Sequence, residues 1–224
     1  MVFEWWGTTH LLALISINIL CIGILIGARK LNTNHRELGG KVLGGIFLLT
    51  YLAESIGRVI RVHWEPWTER LPLHFCSFMS LVCFFALWGR CKWASALAFF
   101  GVITASVQGL ITPMLYRDFP SVDYFAFFIG HGLLFISALY IPIVLEWRAR
   151  PWDDLRSLLI CDIYLLCIHP INLLLDTNYG FTQIAPKGSI LEWFGEAPWC
   201  YLAMQIPAFL VLRALYLCVR KSSK

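Results

Sequence analysis

Apolar residues fill seven long stretches of this 224-residue sequence, and short polar connections separate them. A helix needs roughly 20 apolar residues to cross the hydrocarbon core of a bilayer. The pattern therefore predicts an all-α, polytopic membrane protein with transmembrane helices at residues 8–27, 41–62, 71–89, 93–115, 124–147, 155–176 and 199–219. No internal repeat and no soluble domain interrupts this order, so we expect residues 1–224 to form one helical-bundle domain.

The lysine and arginine residues are distributed unequally between the two sides of the predicted bundle. Of the 18 basic residues, 13 lie on the side of the C-terminus and of the loops after the first, third and fifth spans, and the other five lie toward the opposite side. Because cytoplasmic loops are enriched in Lys and Arg, the C-terminus is expected in the cytoplasm and the N-terminus outside. The five basic residues on the predicted outer side are Arg58, Arg61, Arg70, Arg117 and Lys187.

The composition agrees with a membrane protein and excludes other classes. Hydrophobic residues make up 58% of the chain and charged residues 14%, and the mean hydropathy is +0.68. The net charge of +4 follows from the topology, and no basic patch with interleaved aromatic residues lies outside the spans. We therefore expect no nucleic-acid partner.

Two reactive side chains on different predicted spans lie at similar depth. Cys76 is about 8 Å and His131 about 10 Å inward from the start of its span, at ~1.5 Å of rise per residue. Ionisable side chains cost free energy inside a bilayer unless they face a partner or a wet cavity. The two side chains are therefore expected to meet in a buried pocket near the outer surface.

Further polar residues from other spans fall in the same layer. Estimated depths are about 10 Å for Gln108 and His169, and about 5 to 6 Å for Thr112 and Asn172. The second span adds a polar helix face that contains Glu54, Arg58 and Arg61. The inner halves of these spans are mostly apolar, which argues against a channel, because a pore lining continues across the bilayer.

These residue types suit acyl transfer. A thiolate is a strong nucleophile, and a neighbouring His can take the thiol proton and return it to a leaving group. A third group usually orients such a base, and Glu54, Asn172 and Gln108 all remain candidates. Arg58 can bind a lipid phosphate, and Thr112 or a backbone N–H at the start of the third span can stabilise an oxyanion.

Several residues also have simpler explanations. Free Cys is common in apolar interiors, and the glycines beside His131 permit close helix packing. Glu54 and Arg58 can neutralise each other as an i,i+4 ion pair. A metal site would need His131, His169 and a carboxylate to converge, whereas His74 lies about 200° around the helix from Cys76; we expect no metal and no cofactor.

Short motifs in order along nearly the whole chain resemble the YwaF-like family of bacterial integral membrane proteins. The matching stretches are Thr9–Ala13, Leu71–Cys76, Gln108–Pro113, Phe127–His131, Thr177–Tyr179 and Ala197–Tyr201. This family is similar to a eukaryotic multi-pass acyltransferase that moves acyl chains between phospholipids by means of an essential Cys in a His-x-Cys segment. More distantly, it is similar to membrane hydrolases of fatty-acid esters that use Thr and His.

The resemblance implies that Cys76 is the nucleophile and His131 the base. It also implies supporting roles for residues in the other motifs, namely His10, His74, Asn178 and Tyr179. Gly180 stands where the family pattern has a bulky apolar residue, so the resemblance does not define the substrate. A bacterial cytoplasmic membrane is the implied location.

The residues and the resemblance together predict acyl transfer on a membrane lipid, to another acceptor or to water, in an outer-leaflet pocket. The alternative is a non-catalytic binding protein or transporter, in which Glu54, Arg58, His131 and Asn172 bind a small or lipidic ligand. A third possibility is a structural or assembly subunit. The sequence assigns no oligomeric state.

Overall fold

The computed structural model describes residues 2–60, 68 and 71–221; for residue 54 and residues 57–60 it describes the backbone alone. It is 74% helical, and no β-strand occurs among these residues. The all-α prediction is confirmed. We number the α-helices in chain order as α1 (Thr8–Arg29), α2 (Thr33–Ile60), α3 (Phe75–Leu87), α4 (Lys92–Ile111), α5 (Val122–Ile143), α6 (Asp153–Leu175), α7 (Trp199–Ala203) and α8 (Gln205–Val219).

Four of these helices, α1, α4, α5 and α6, are long and apolar enough to cross a membrane. Two shorter apolar helices, α3 and α8, accompany them. The chain is thus a helical protein with several candidate membrane spans, whereas the count of seven stays a prediction.

One helix ends before its predicted bound because of a proline, and another begins later than predicted. The predicted span 93–115 ends as a helix at Ile111, because Pro113 lacks an N–H and disfavours helical backbone at the residue before it. Thr112 accordingly leaves the helical region, with φ −129° and ψ 70°. In the span predicted at 71–89, Pro72 precedes an extended His74, and the helix begins only at Phe75.

The centre of the bundle is formed by α4 and α5. Their most apolar 18-residue windows are 61% and 50% buried, against 6% for α1 and 11% for α6. Helix α4 packs against α3, α5 and α6, and its Leu97 and Phe100 are fully buried. The outer faces of α1 and α6 are apolar and exposed, as expected for helices that contact lipid.

Hydrogen bonds bring several helix ends together at one end of the bundle, which we call the Cys76 end. The side chain of His10 near the start of α1 bonds Leu110 near the end of α4. Tyr124 at the start of α5 bonds the carbonyl of Thr9. The N-termini of α1 and α5 therefore meet the C-terminus of α4 there, so α4 runs opposite to α1 and α5.

Two segments outside the helices cover the Cys76 end. The indole N–H of Trp5 donates to the carbonyl of Pro113 at 3.0 Å, which holds the N-terminal segment over the end of α4. The connection between α6 and α7 contains two 3₁₀ turns, Tyr179–Phe181 and Ile190–Phe194. Trp193 in the second turn is 82% exposed.

Replacing Phe100 with Ala is expected to lower the stability of the bundle by about 3 kcal/mol, because a fully buried ring is lost at the most enclosed helix. The melting temperature of the detergent-solubilised protein measures this loss of stability. Phe85→Ala is the control, because Phe85 is 48% exposed and its ring leaves no enclosed void. Equal melting temperatures for the two variants would contradict the central position of α4.

Candidate active site

Cys76 is the second residue of α3, and contacts on both sides hold the segment that precedes it. Tyr164 of α6 donates its hydroxyl proton to the carbonyl of Leu73 at 2.7 Å. The hydroxyl of Tyr179 accepts from the N–H of Leu71 at 3.0 Å and donates to the carbonyl of Thr68. The thiol therefore has a fixed place in the first turn of a helix, where the helix dipole favours an anion.

His131 of α5 lies beside this thiol. Its Nε2 atom is 3.1 Å from the Sγ atom of Cys76. Its Nδ1 atom is 3.0 Å from the carbonyl oxygen of Phe127, one helical turn earlier. The depth estimate predicted that Cys76 and His131 would meet, and in the structure their Sγ and Nε2 atoms are within hydrogen-bond distance.

The backbone carbonyl of Phe127 determines which ring nitrogen of His131 carries the proton. A carbonyl oxygen can only accept a hydrogen bond, so Nδ1 must carry the hydrogen in this arrangement. In the neutral imidazole, Nε2 then has a lone pair and accepts from the thiol of Cys76. This is the tautomer that a general base for Cys76 requires.

Several aromatic rings lie near the pair. The ring of Phe127 stacks on the imidazole of His131, with 4.1 Å between centroids and 23° between planes. Phe75, the residue before Cys76, meets the ring of Tyr164 edge-on at 5.3 Å, and Tyr164 in turn stacks on Phe78 at 5.4 Å. Among the described side chains, the neighbourhood of the half-buried pair is thus largely aromatic.

The sequence left the orienting group of His131 open among three side chains. Among the described residues, the backbone carbonyl of Phe127 takes this position. Asn172 is engaged elsewhere, as described below. Gln108 is half-buried on α4. Its backbone carbonyl accepts a hydrogen bond from the hydroxyl of Thr112 at 3.2 Å. The side chains of Glu54 and Arg58, and the whole of Arg61, lie outside the described residues.

Asn172 organises the connection after α6. It is fully buried, and its Nδ2 donates at 2.7 Å both to the carbonyl of Tyr179 and to the hydroxyl of Thr182. Its Oδ1 accepts at 2.8 Å from the hydroxyl of Thr177 and from the N–H of Tyr179. With four bonds in one loop, this amide supports the cover of the site.

The other polar candidates in this region also contact the loop. The Nδ1 atom of His169 is 3.2 Å from the hydroxyl of Thr182. Asn178 donates from Nδ2 to the carbonyl of Ile184 at 2.9 Å. The ring of His74 lies edge-on to Tyr179 at 4.9 Å, which places this imidazole toward the loop.

His10 joins two helices. It is fully buried, with Nε2 2.8 Å from the carbonyl of Leu110 and Nδ1 accepting from the N–H of Trp6 at 3.0 Å. Nε2 therefore links α1 to the end of α4, and Nδ1 holds the segment that precedes α1. Across the residues that the structure describes, no group of three or more His, Cys, Asp or Glu side chains is arranged to hold a metal ion.

Sequence reasoning missed two features of the site. One is the carbonyl of Phe127, which carries no sequence signal because every helical residue has a carbonyl four residues before it. The other is Tyr164, which appears in the sequence as an aromatic residue inside an apolar run. Only the packing of α6 against the start of α3 shows that its hydroxyl bonds Leu73.

A comparison with protein-family models gives one match, to the TMEM164 family, over residues 5–216. The chain belongs to the TMEM164 family. This is a multi-pass membrane family, and the match spans α1 to α6 together with Cys76 and His131. We therefore treat the chain as an integral membrane protein. No curated protein and no solved structure matches the chain.

Replacing Asn172 with Ala in this TMEM164-family protein is expected to loosen the connection between α6 and α7. Four hydrogen bonds are lost and buried partners are left unsatisfied, at a cost of about 1 to 3 kcal/mol for each such group. Limited proteolysis should then cut residues 177–198 several-fold faster. Asn18→Ala is the control, because Asn18 is exposed and bonds only within its own helix. Unchanged cleavage in the Asn172 variant would refute this structural role.

Proposed function

We propose that this protein transfers acyl chains of membrane lipids, either to another acceptor or to water, with Cys76 as nucleophile and His131 as general base and acid. The observation that carries the proposal is the 3.1 Å contact between Sγ of Cys76 and Nε2 of His131. The bond from Nδ1 to Phe127 supports it, because that bond leaves Nε2 as the acceptor. The proposed YwaF-like relationship within bacteria is consistent with the same pair.

The first half of the proposed reaction forms a thioester. The thiol proton of Cys76 moves to Nε2 of His131, and the thiolate adds to the ester carbonyl carbon of the lipid. The tetrahedral intermediate then breaks its carbon–oxygen bond to the lipid alcohol. The leaving oxygen takes the proton from Nε2, so that the freed alcohol departs and the acyl group stays on Sγ.

The second half transfers the acyl group. An acceptor hydroxyl, from a second lipid or from water, loses its proton to Nε2 as its oxygen adds to the thioester carbonyl. The carbon–sulfur bond breaks, and the proton returns from Nε2 to Sγ. The enzyme is then restored, and no other cofactor is needed to balance the reaction.

We assign oxyanion stabilisation to backbone N–H groups in the first turn of α3. Such groups have no preceding helical turn to bond to, and they point out of the N-terminus. Thr112 is the less suitable candidate, because its hydroxyl proton is donated to Gln108. Arg58 remains the proposed contact for a lipid phosphate.

The proposed topology has seven spans, formed by α1 to α6 and α8, in a single bundle domain of the bacterial cytoplasmic membrane. The distribution of basic residues supports an external N-terminus and a cytoplasmic C-terminus. The Cys76 end would then face the non-cytoplasmic side. A lipid in the outer leaflet would bring its ester bond to about the depth of Cys76.

The proposal predicts the behaviour of purified protein in vesicles that contain phospholipid and lysophospholipid. Cys76→Ala is expected to abolish both acyl exchange and release of fatty acid, whereas His131→Asn should reduce them about 10²- to 10⁴-fold, the usual contribution of a general base. Lipid mass spectrometry measures the products.

Cys167→Ala provides the control, because Cys167 is an exposed thiol on α6 and should be dispensable. A Cys76→Ala protein with full lipid-remodelling activity would end the proposal. Lipid that binds equally to wild type and Cys76→Ala, with no turnover by either, would favour the alternative of a binding protein.

A further inference from the structure

Gly109 of α4 lies directly against the imidazole of His131. A Cβ atom added at Gly109 would be 2.7 Å from both Nε2 and Cδ2 of that ring. Real Cβ atoms essentially never approach other atoms closer than 3.0 Å, so any side chain here must move the ring. Nε2 is also the atom that contacts Cys76, so the displaced atom is the proposed proton acceptor.

The ring has little freedom to move aside. Its Nδ1 is bonded to the carbonyl of Phe127, and the Phe127 ring stacks on it. A Cβ at position 109 would also be 3.6 Å from Cζ of Phe127. The backbone of α4 and the ring of Phe127 therefore both restrict where the imidazole can lie.

A π-helical segment, Val102–Ser106, precedes Gly109 within α4. Gly101 and Gly109 are eight positions apart, which in a regular α-helix places them about 80° apart around the axis. The extra residue of a π turn reduces the rotation by about 100°, so the two glycines come within about 20° of one another.

The two aligned glycines lie against the two helices that carry the pair, α3 and α5. A Cβ at Gly101 would be 3.0 Å from Sδ of Met79 and 3.6 Å from Cζ of Phe75, both on α3. Phe75 immediately precedes Cys76. One face of α4 thus passes close to the thiol-bearing helix at Gly101 and to the imidazole at Gly109.

We propose that Gly109, turned to this face by the π segment, is a positioning residue that holds Nε2 of His131 in contact with Sγ of Cys76. The inference rests on the proposed function, because it assigns a purpose to the same pair. Gly109 acts through His131, and its missing side chain sets how far the imidazole lies from α4. The Nε2 to Sγ distance then follows from the backbone position of α4.

The test replaces Gly109 with Ala and measures how fast a small thiol reagent, methyl methanethiosulfonate, modifies Cys76 near neutral pH, with mass spectrometry to map the site. The displaced imidazole should no longer activate the thiol, so the rate should fall to that of His131→Asn. Acyl turnover should fall about 10²-fold with KM nearly unchanged, the usual effect of a displacement near 1 Å.

Gly130→Ala is the matched control, because Gly130 directly precedes His131 and a Cβ there meets nothing within 4 Å. In the Gly130→Ala variant, Cys76 should be modified at the wild-type rate. If Gly109→Ala also reacts like wild type while His131→Asn is slow, the positioning role is overturned and the proposed function stands. If wild type reacts no faster than His131→Asn, the proposed pair itself fails.

A double variant keeps the test decisive if Gly109→Ala alone misfolds. Asn is shorter than His, so Gly109→Ala combined with His131→Asn relieves the contact and should fold and react like His131→Asn alone. A double variant that misfolds, or in which Gly109→Ala slows the thiol further, would show a general packing role and contradict the inference.

Discussion

The hydrogen bond from Nδ1 of His131 to the carbonyl of Phe127 is the interaction on which the site depends. It fixes the tautomer, so that Nε2 accepts from the thiol of Cys76. It also orients the imidazole ring. A helix supplies such a backbone carbonyl at every turn, so this contact needs no further polar side chain inside the bilayer.

Most other polar groups at the Cys76 end hold the surroundings of this pair in place. Tyr164 and Tyr179 fix the chain just before α3, which sets the position of the thiol. Asn172 fixes the loop that contains Tyr179, and His10 fixes α1 against α4. The polar layer near one end of the bundle thus combines the pair of Cys76 and His131 with a larger hydrogen-bond network that holds the surrounding segments in place.

The contact between Cys76 and His131 could be predicted from the sequence, because a rise of 1.5 Å per residue places both at nearly the same depth on neighbouring spans. Depth alone could not separate reactive from structural residues. Asn172 and His10 lie at similar levels, but Asn172 bonds the loop that follows its own helix, and His10 bonds a backbone carbonyl of α4. The direction in which Gly109 faces could not be predicted from the sequence either. A π segment rotates the residues that follow it around the helix axis, and it has no clear residue pattern. Pro113 explains the early end of α4, and its effect on Thr112 could be read from the sequence.

The central claim is that the thiol of Cys76 accepts an acyl group from a lipid. Mass spectrometry of the protein, isolated from phospholipid vesicles after a brief acid quench, tests it most directly. The account predicts a hydroxylamine-sensitive mass increase of one acyl chain, mapped to Cys76. Active protein that carries no such adduct, or that carries it on another residue, would contradict the account.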